Sequence, residues 1–176
     1  MKSLPTAMIL IGALALSACS GPNRFGMGPG AGAAGGAAGP GGIDMSALGD
    51  PANPDSLAHF QQVVGDRVLF AVDQSTLSDE ARMTLMAQAR WLSARPAVNV
   101  IVEGHADEQG TREYNLALGA RRANAVQEFL ISQGIAANRI RTVSYGKERP
   151  IEICSDEACY AQNRRAVTVL TAAVGA

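Results

Sequence analysis

The sequence predicts an α/β chain, an α+β sandwich in which a βαβαββ succession builds a mixed sheet with two main helices on one face. Three observations predict it. Short runs of strand character recur at residues 68–70, 98–102, 140–145 and 167–170. Two longer stretches, from Ser78 to Ala94 and from Glu113 to Gln133, space their apolar residues three and four apart. Strands and helices alternate until the last two strands, a pattern that calls for crossover connections.

The chain start stands apart from that pattern. Lys2 opens residues 1–18, Ala7 to Leu16 is an apolar run too short to span a bilayer as a helix, and Ser17 and Ala18 lead into Cys19. This is the pattern of an export signal. Leu16-Ser17-Ala18-Cys19 also resembles a bacterial lipobox, which implies cleavage before Cys19 and acylation of its thiol and amino group. Each buried methylene of such chains contributes ~0.8 kcal/mol to anchoring. Ser20 stands where an aspartate would retain the lipid at the inner membrane, so the resemblance sends it to the outer membrane. Residues 19–62 then read as the lipidated start and a tether, because ten of the 19 glycines fall between Gly21 and Gly42 among alanine and proline. Such a segment buries too little to offset its ordering entropy. About 40 flexible residues reach roughly 35 Å. Whether His59 and Phe60 begin a short docking segment stays open.

Residues 63–176 form the folded domain. After the strand Val68-Leu69-Phe70, Asp73 to Thr76 turns the chain. Ser78 is a good N-cap, with Asp79 and Glu80 placed where the helix dipole favours acids. Ala81, Leu85, Ala89 and Leu92 carry that helix to about Ala94, and Pro96 stops it. Val98, Val100 and Val102 follow with a period of two, and Ile101 makes both faces apolar, as a central strand requires. In the second helix Leu116, Ala120, Ala123, Val126 and Leu130 define the buried arc, with Arg122 at its rim on the side of Asn115 and Leu118. Gly134 caps it. Ile140 to Tyr145 is a strand, Gly146 to Pro150 a polar loop, Glu157 to Gln162 a helical turn, and Val167 to Leu170 the last strand.

Thirteen basic and thirteen acidic side chains balance between residues 63 and 172. No net field draws a polyanion, which argues against nucleic acid as a partner. With Cys19 taken by lipid, Cys154 and Cys159 remain five positions apart in a loop. An oxidising compartment favours a disulfide between them over free thiols. No second cysteine pair or clustered histidine supports a metal site.

The chemistry concentrates in residues 100–111, where an apolar strand stops at Gly104 and gives way to His105-Ala106-Asp107-Glu108-Gln109-Gly110-Thr111 and a helix. Such junctions open into ligand crevices. Glu103, His105 and Asp107 alternate onto one face, but no nucleophile–base pair or metal motif accompanies them. Hydrogen bonds from His105 and Glu103 to loop backbone are the plainer expectation. Asp107 offers an acceptor for an ammonium and Arg122 a fork matched to a carboxylate, so together they could clamp a small zwitterion. Spacing alone favours an internal ion pair instead.

Four ordered motifs add a resemblance. They are Glu103 to Thr111, the run Tyr114-Asn115-x-x-Leu118-Gly119-x-Arg121-Arg122-Ala123-Asn124-Ala125-Val126, the run Ser144-Tyr145-Gly146-Lys147-Glu148-x-Pro150, and Asn163-Arg164-Arg165-Ala166-Val167. Over roughly residues 66–170 the chain resembles the OmpA-like peptidoglycan-binding domain family. The resemblance implies a non-catalytic domain without cofactor that grips the diaminopimelate residue of the peptidoglycan stem peptide. Ligand contacts then fall on Asp107 and Arg122, with Leu118 lining the pocket and Phe70 and Asp73 supplying a Phe-x-x-Asp segment. Asn115 braces the site from behind, and His105 is placed with it. Arg164 and Arg165 match the closing motif, in fold, partner docking or ligand contact. Two departures stand out: Leu69 replaces a frequent aromatic residue of the pocket wall, and the Cys154–Cys159 loop is not general in the family.

The implied role is an anchor, with acylated Cys19 in the outer membrane, the domain in the periplasm on the cell wall, and a TolB-like periplasmic β-propeller as partner. A lipoprotein that only binds proteins and a wall hydrolase using His105 and Glu103 are the competing readings.

Overall fold

The computed structural model describes residues 49–153 and 155–172. The expected export signal, Cys19, most of the expected tether and Cys154 lie outside the described residues. A short helix, α1 (Leu57–His59), runs into a π-helical turn, Phe60–Gly65. Then follow β1 (Arg67–Leu69), α2 (Asp79–Ser93), β2 (Val98–His105), α3 (Arg112–Ser132), β3 (Ile140–Gly146), α4 (Glu157–Asn163) and β4 (Arg165–Ala172). The four strands form one mixed sheet in the order β1-β4-β2-β3. β4 is antiparallel to both β1 and β2, and β2 is parallel to β3.

Local chemistry sets the helix starts. The Ser78 hydroxyl accepts from the Ala81 amide at 3.1 Å, and the Thr111 hydroxyl accepts from the Tyr114 amide at 3.2 Å. Gly134, at φ 92°, takes the left-handed turn after α3 that a side chain would disfavour. Leu85 and Leu92 of α2, Val126 and Leu130 of α3, and Val100 and Val102 of β2 meet in the core. Burial of each contributes roughly 1.5–3 kcal/mol.

Two expectations are corrected. Residues 50–62, read as tether, instead pack on α2. Phe60 is fully buried, its ring 4.9 Å from that of Trp91, while the Trp91 Nε1–H donates to the Pro54 carbonyl at 2.9 Å. Arg95 adds a bond to the same carbonyl at 2.8 Å and an ion pair with Asp55. A single aromatic anchor and backbone acceptors hold this segment, and neither leaves a periodic signal.

The buried arc of α3 is also rotated from the one expected. It runs through Asn115, Leu118, Gly119, Arg122, Ala123, Val126 and Leu130, while Leu116 is 42% exposed. The cause is the close seating of α3 on β2. A Cβ on Gly104 would stand 1.9 Å from the Gly119 carbonyl oxygen, so only two glycines allow the approach. That contact turns the polar side of α3, with Asn115 and Arg122, inward.

Candidate functional site

The β2–α3 junction does open into a cavity. Val72 and Asp73 from the β1–α2 loop, Asp107, Gln109 and Gly110 from the β2–α3 loop, and Tyr114, Asn115 and Leu118 from α3 line a space of about 260 Å³. The register between β2 and β3 slips between Gly104 and His105, which ends regular pairing just before the loop. Asp73 lies at φ 56°, in left-handed backbone that bends the β1–α2 loop over the cavity mouth.

Asp107 is almost wholly buried, and each of its carboxylate oxygens has one fixed donor. Oδ1 accepts from the Gln109 amide at 3.2 Å, and Oδ2 accepts from Nη1 of Arg164 at 3.2 Å. An ionised carboxylate offers about four acceptor positions, so capacity remains for a ligand. Asn115 braces the loop, its Nδ2 donating to the carbonyls of Asp107 at 3.2 Å and Gln109 at 2.7 Å. Lys147 ties the same loop from β3's far side, reaching the Gly110 carbonyl at 2.8 Å. Tyr114 donates its hydroxyl to Asp73 across the rim, and that hydrogen bond, followed by desolvation, raises the phenol pKa from 10.0.

Arg122 does not face Asp107 across an open notch. Its guanidinium has no exposed surface and donates to the Gln74 carbonyl at 2.8 Å, the His105 carbonyl at 2.8 Å and the Ala71 carbonyl at 3.2 Å, with the Phe70 ring 5.2 Å away. The β1–α2 loop roofs it. Burial lowers its pKa from 12.5 to about 10, with the Asp107 charge opposing the fall, so it remains a cation at neutral pH. Asp107 and Arg122 are not paired with each other; the cation on Asp107 is Arg164. Phe70 is likewise buried and off the cavity wall, whereas Asp73 and Leu118 are on it.

His105 is 2% exposed and neither ring nitrogen has a hydrogen-bond partner, so the expected bonds from its ring to loop backbone are absent. Glu103 Oε2 lies 3.8 Å from Nε2, but burial, then the charges of Arg165 and Arg149, lower the imidazole pKa from 6.5 to about 4. A neutral ring sealed from solvent cannot exchange protons with a substrate in the cavity. Leu69 does not touch the cavity either; it lines a separate depression with Arg67, Thr84 and Gln162. Cys159 is disulfide-bonded. Among the described residues no group of three or more His, Cys, Asp or Glu could hold a metal ion, and no helix is long and apolar enough to cross a membrane.

Sequence reasoning missed Gln109, Gly110, Val72 and Tyr114 as lining, and Arg164 as the partner of Asp107. Tyr114 carried a usable signal, because it lies one turn before Leu118 on α3. Arg164 carried none beyond its motif.

Comparison with known proteins agrees with this architecture. Residues 69–164 match the OmpA family. A peptidoglycan-associated lipoprotein of Mesorhizobium japonicum is 53% identical over 122 residues, covering 69% of this chain and 73% of its own. That of Rhizobium meliloti is 44% identical over 171 residues, covering 94% of this chain and 87% of its own. Among solved structures, the peptidoglycan-associated lipoprotein from Burkholderia pseudomallei superposes with a TM-score of 0.61 at 38% identity, covering 69% of this chain and 100% of that one. The C-terminal domain of Helicobacter pylori MotB, at 21% identity and a TM-score of 0.57, shares the fold. The chain belongs to the OmpA family, on the branch whose curated members carry the name peptidoglycan-associated lipoprotein.

Proposed function

We propose that the chain is an outer-membrane lipoprotein of the Tol-Pal system that anchors the outer membrane to the cell wall. The domain holds the diaminopimelate residue of a peptidoglycan stem peptide without covalent chemistry, and acylated Cys19 holds the lipid. The carrying observation is the small cavity in which Asp107, 8% exposed and fixed by its neighbours, meets Asp73 and Leu118. A carboxylate held this way can accept from the ligand's ammonium. The ligand's apolar stem fits against Leu118 and Val72. Arg122 supplies positive charge from beneath the β1–α2 loop, and touches the ligand's carboxylate only if that loop lifts. Many copies acting together turn modest single contacts into firm attachment.

The same reading places the domain in the periplasm, with a TolB-like β-propeller as a partner and a role in outer-membrane constriction at division. Co-sedimentation with washed sacculi tests it. The parent sediments, and Asp107→Ala stays in the supernatant while its thermal transition is retained. An Asp107→Ala protein that sediments like the parent would leave only a protein-interaction role for this lipoprotein.

A further inference from the structure

Asp107 is the ligand's acceptor in that reading, yet the side chain that holds its carboxylate comes from 57 positions away. Arg164 leads into β4, and its side chain is only 5% exposed. It does not line the cavity. Its Nη1 reaches Asp107 Oδ2 at 3.2 Å and Glu157 Oε2 at 3.4 Å, its Nη2 pairs with the other oxygen of Glu157, and its Nε donates to the Phe70 carbonyl at 3.2 Å. The Arg164 carbonyl in turn accepts from the Phe70 amide at 2.8 Å. One guanidinium thus joins the end of β1, the β2–α3 loop and α4. The residue before it repeats the arrangement, because Asn163 donates to Glu108 Oε1 at 2.8 Å. Two consecutive residues fix two consecutive acids.

We propose that Arg164 is a positioning residue of the candidate site, sealed from the ligand, which fixes the Asp107 carboxylate so that the acceptor capacity left over faces a ligand ammonium. Glu157 sets the strength of this hold. It shares the guanidinium with Asp107, so Arg164 only partly neutralises the acid that the ligand needs. The side chain of Glu157 is 66% exposed on α4, the helix that also carries the disulfide-bonded Cys159. The selectivity of the cavity for an amine is therefore governed from a helix that does not touch it. The inference rests on the wall-binding reading of this cavity.

The test is a ratio, which a merely structural role would not move. The full chain is titrated with a muramyl tripeptide ending in diaminopimelate and with the same peptide acetylated on its side-chain amine. The parent prefers the free amine by about tenfold or more, the scale of one charge-assisted hydrogen bond. Arg164→Met loses the preference to within about twofold, and Arg164→Lys, with one point charge in place of the fork, keeps an intermediate ratio. Glu157→Gln, a change on an exposed side chain, lowers the ratio about two- to fivefold by removing the negative charge that competes with Asp107 for Arg164, with the thermal transition unmoved. If Arg164→Met and Arg164→Lys fail to fold, Glu157→Gln decides alone. Affinities that fall together at an unchanged ratio overturn the inference. Asp107→Asn separates the two levels: binding at parental strength removes the site itself, whereas a lost preference there with parental ratios in the Arg164 and Glu157 variants removes only the role of Arg164.

Discussion

Gly104 of β2 and Gly119 of α3 meet backbone to backbone, the position of a Cβ on Gly104 lying 1.9 Å from the Gly119 carbonyl oxygen. No rotamer change relieves such a clash, because the obstacle is main chain. Gly104→Ala therefore pushes α3 off the sheet and costs about 3 kcal/mol or more, at the upper end of overpacking penalties. Chemical denaturation of the variant measures it. A loss under 1 kcal/mol would mean that α3 does not sit this close to β2.

His105 gives the fold an acid-side dependence. Its pKa falls from 6.5 unfolded to about 4 folded, so below pH 6.5 the unfolded chain takes up a proton that the folded one refuses. Stability is complete above pH 6.5, drains away as pH falls toward 4, and has lost about 3 kcal/mol there. Glu103, Arg149 and Arg165 face the ring, and only the first favours its cation. His105→Phe keeps a ring beside Tyr145 and flattens this slope. Denaturation midpoints from pH 7 to pH 4 that run parallel in parent and variant would contradict the assignment.

Asn115 ties the carbonyls of Asp107 and Gln109 with one amide group. Asn115→Ala leaves both acceptors without that donor and costs about 1–3 kcal/mol. It also frees the β2–α3 loop, so amide exchange at Glu108 and Gln109 accelerates more than exchange in the core strands. Uniform acceleration across the domain would instead mark a global loss of stability.

Phe60 sits against Trp91, in a segment that the sequence assigns to the tether. Phe60→Ala removes a fully buried ring and costs about 3–5 kcal/mol. A chain shortened to begin at Val63 loses a similar amount in thermal melts. A shortened chain as stable as the parent would return those residues to the spacer.

The elements legible in the sequence are those whose signal is local. α2 announces itself through Ser78 and its apolar spacing, and β2 through alternating valines. The place of Asp107 follows from the same local logic, at the end of a strand and just before a capped helix. The partners are what spacing could not provide. Arg122 bonds to carbonyls of Ala71 and Gln74, about fifty positions away, and a backbone carbonyl has no residue identity to read. Arg164 and Asp107 meet only because β4 inserts between β1 and β2. The rotated face of α3 has the same origin, since two glycines in contact outweigh the preference for burying Leu116.

The central place of β4 has a consequence for how such a chain is made. β4, the last of the four described strands, forms the ladder that β1 and β2 both need, and these two strands have no direct pairing with each other. A polypeptide emerging amino end first thus cannot complete this four-stranded sheet until β4 is available.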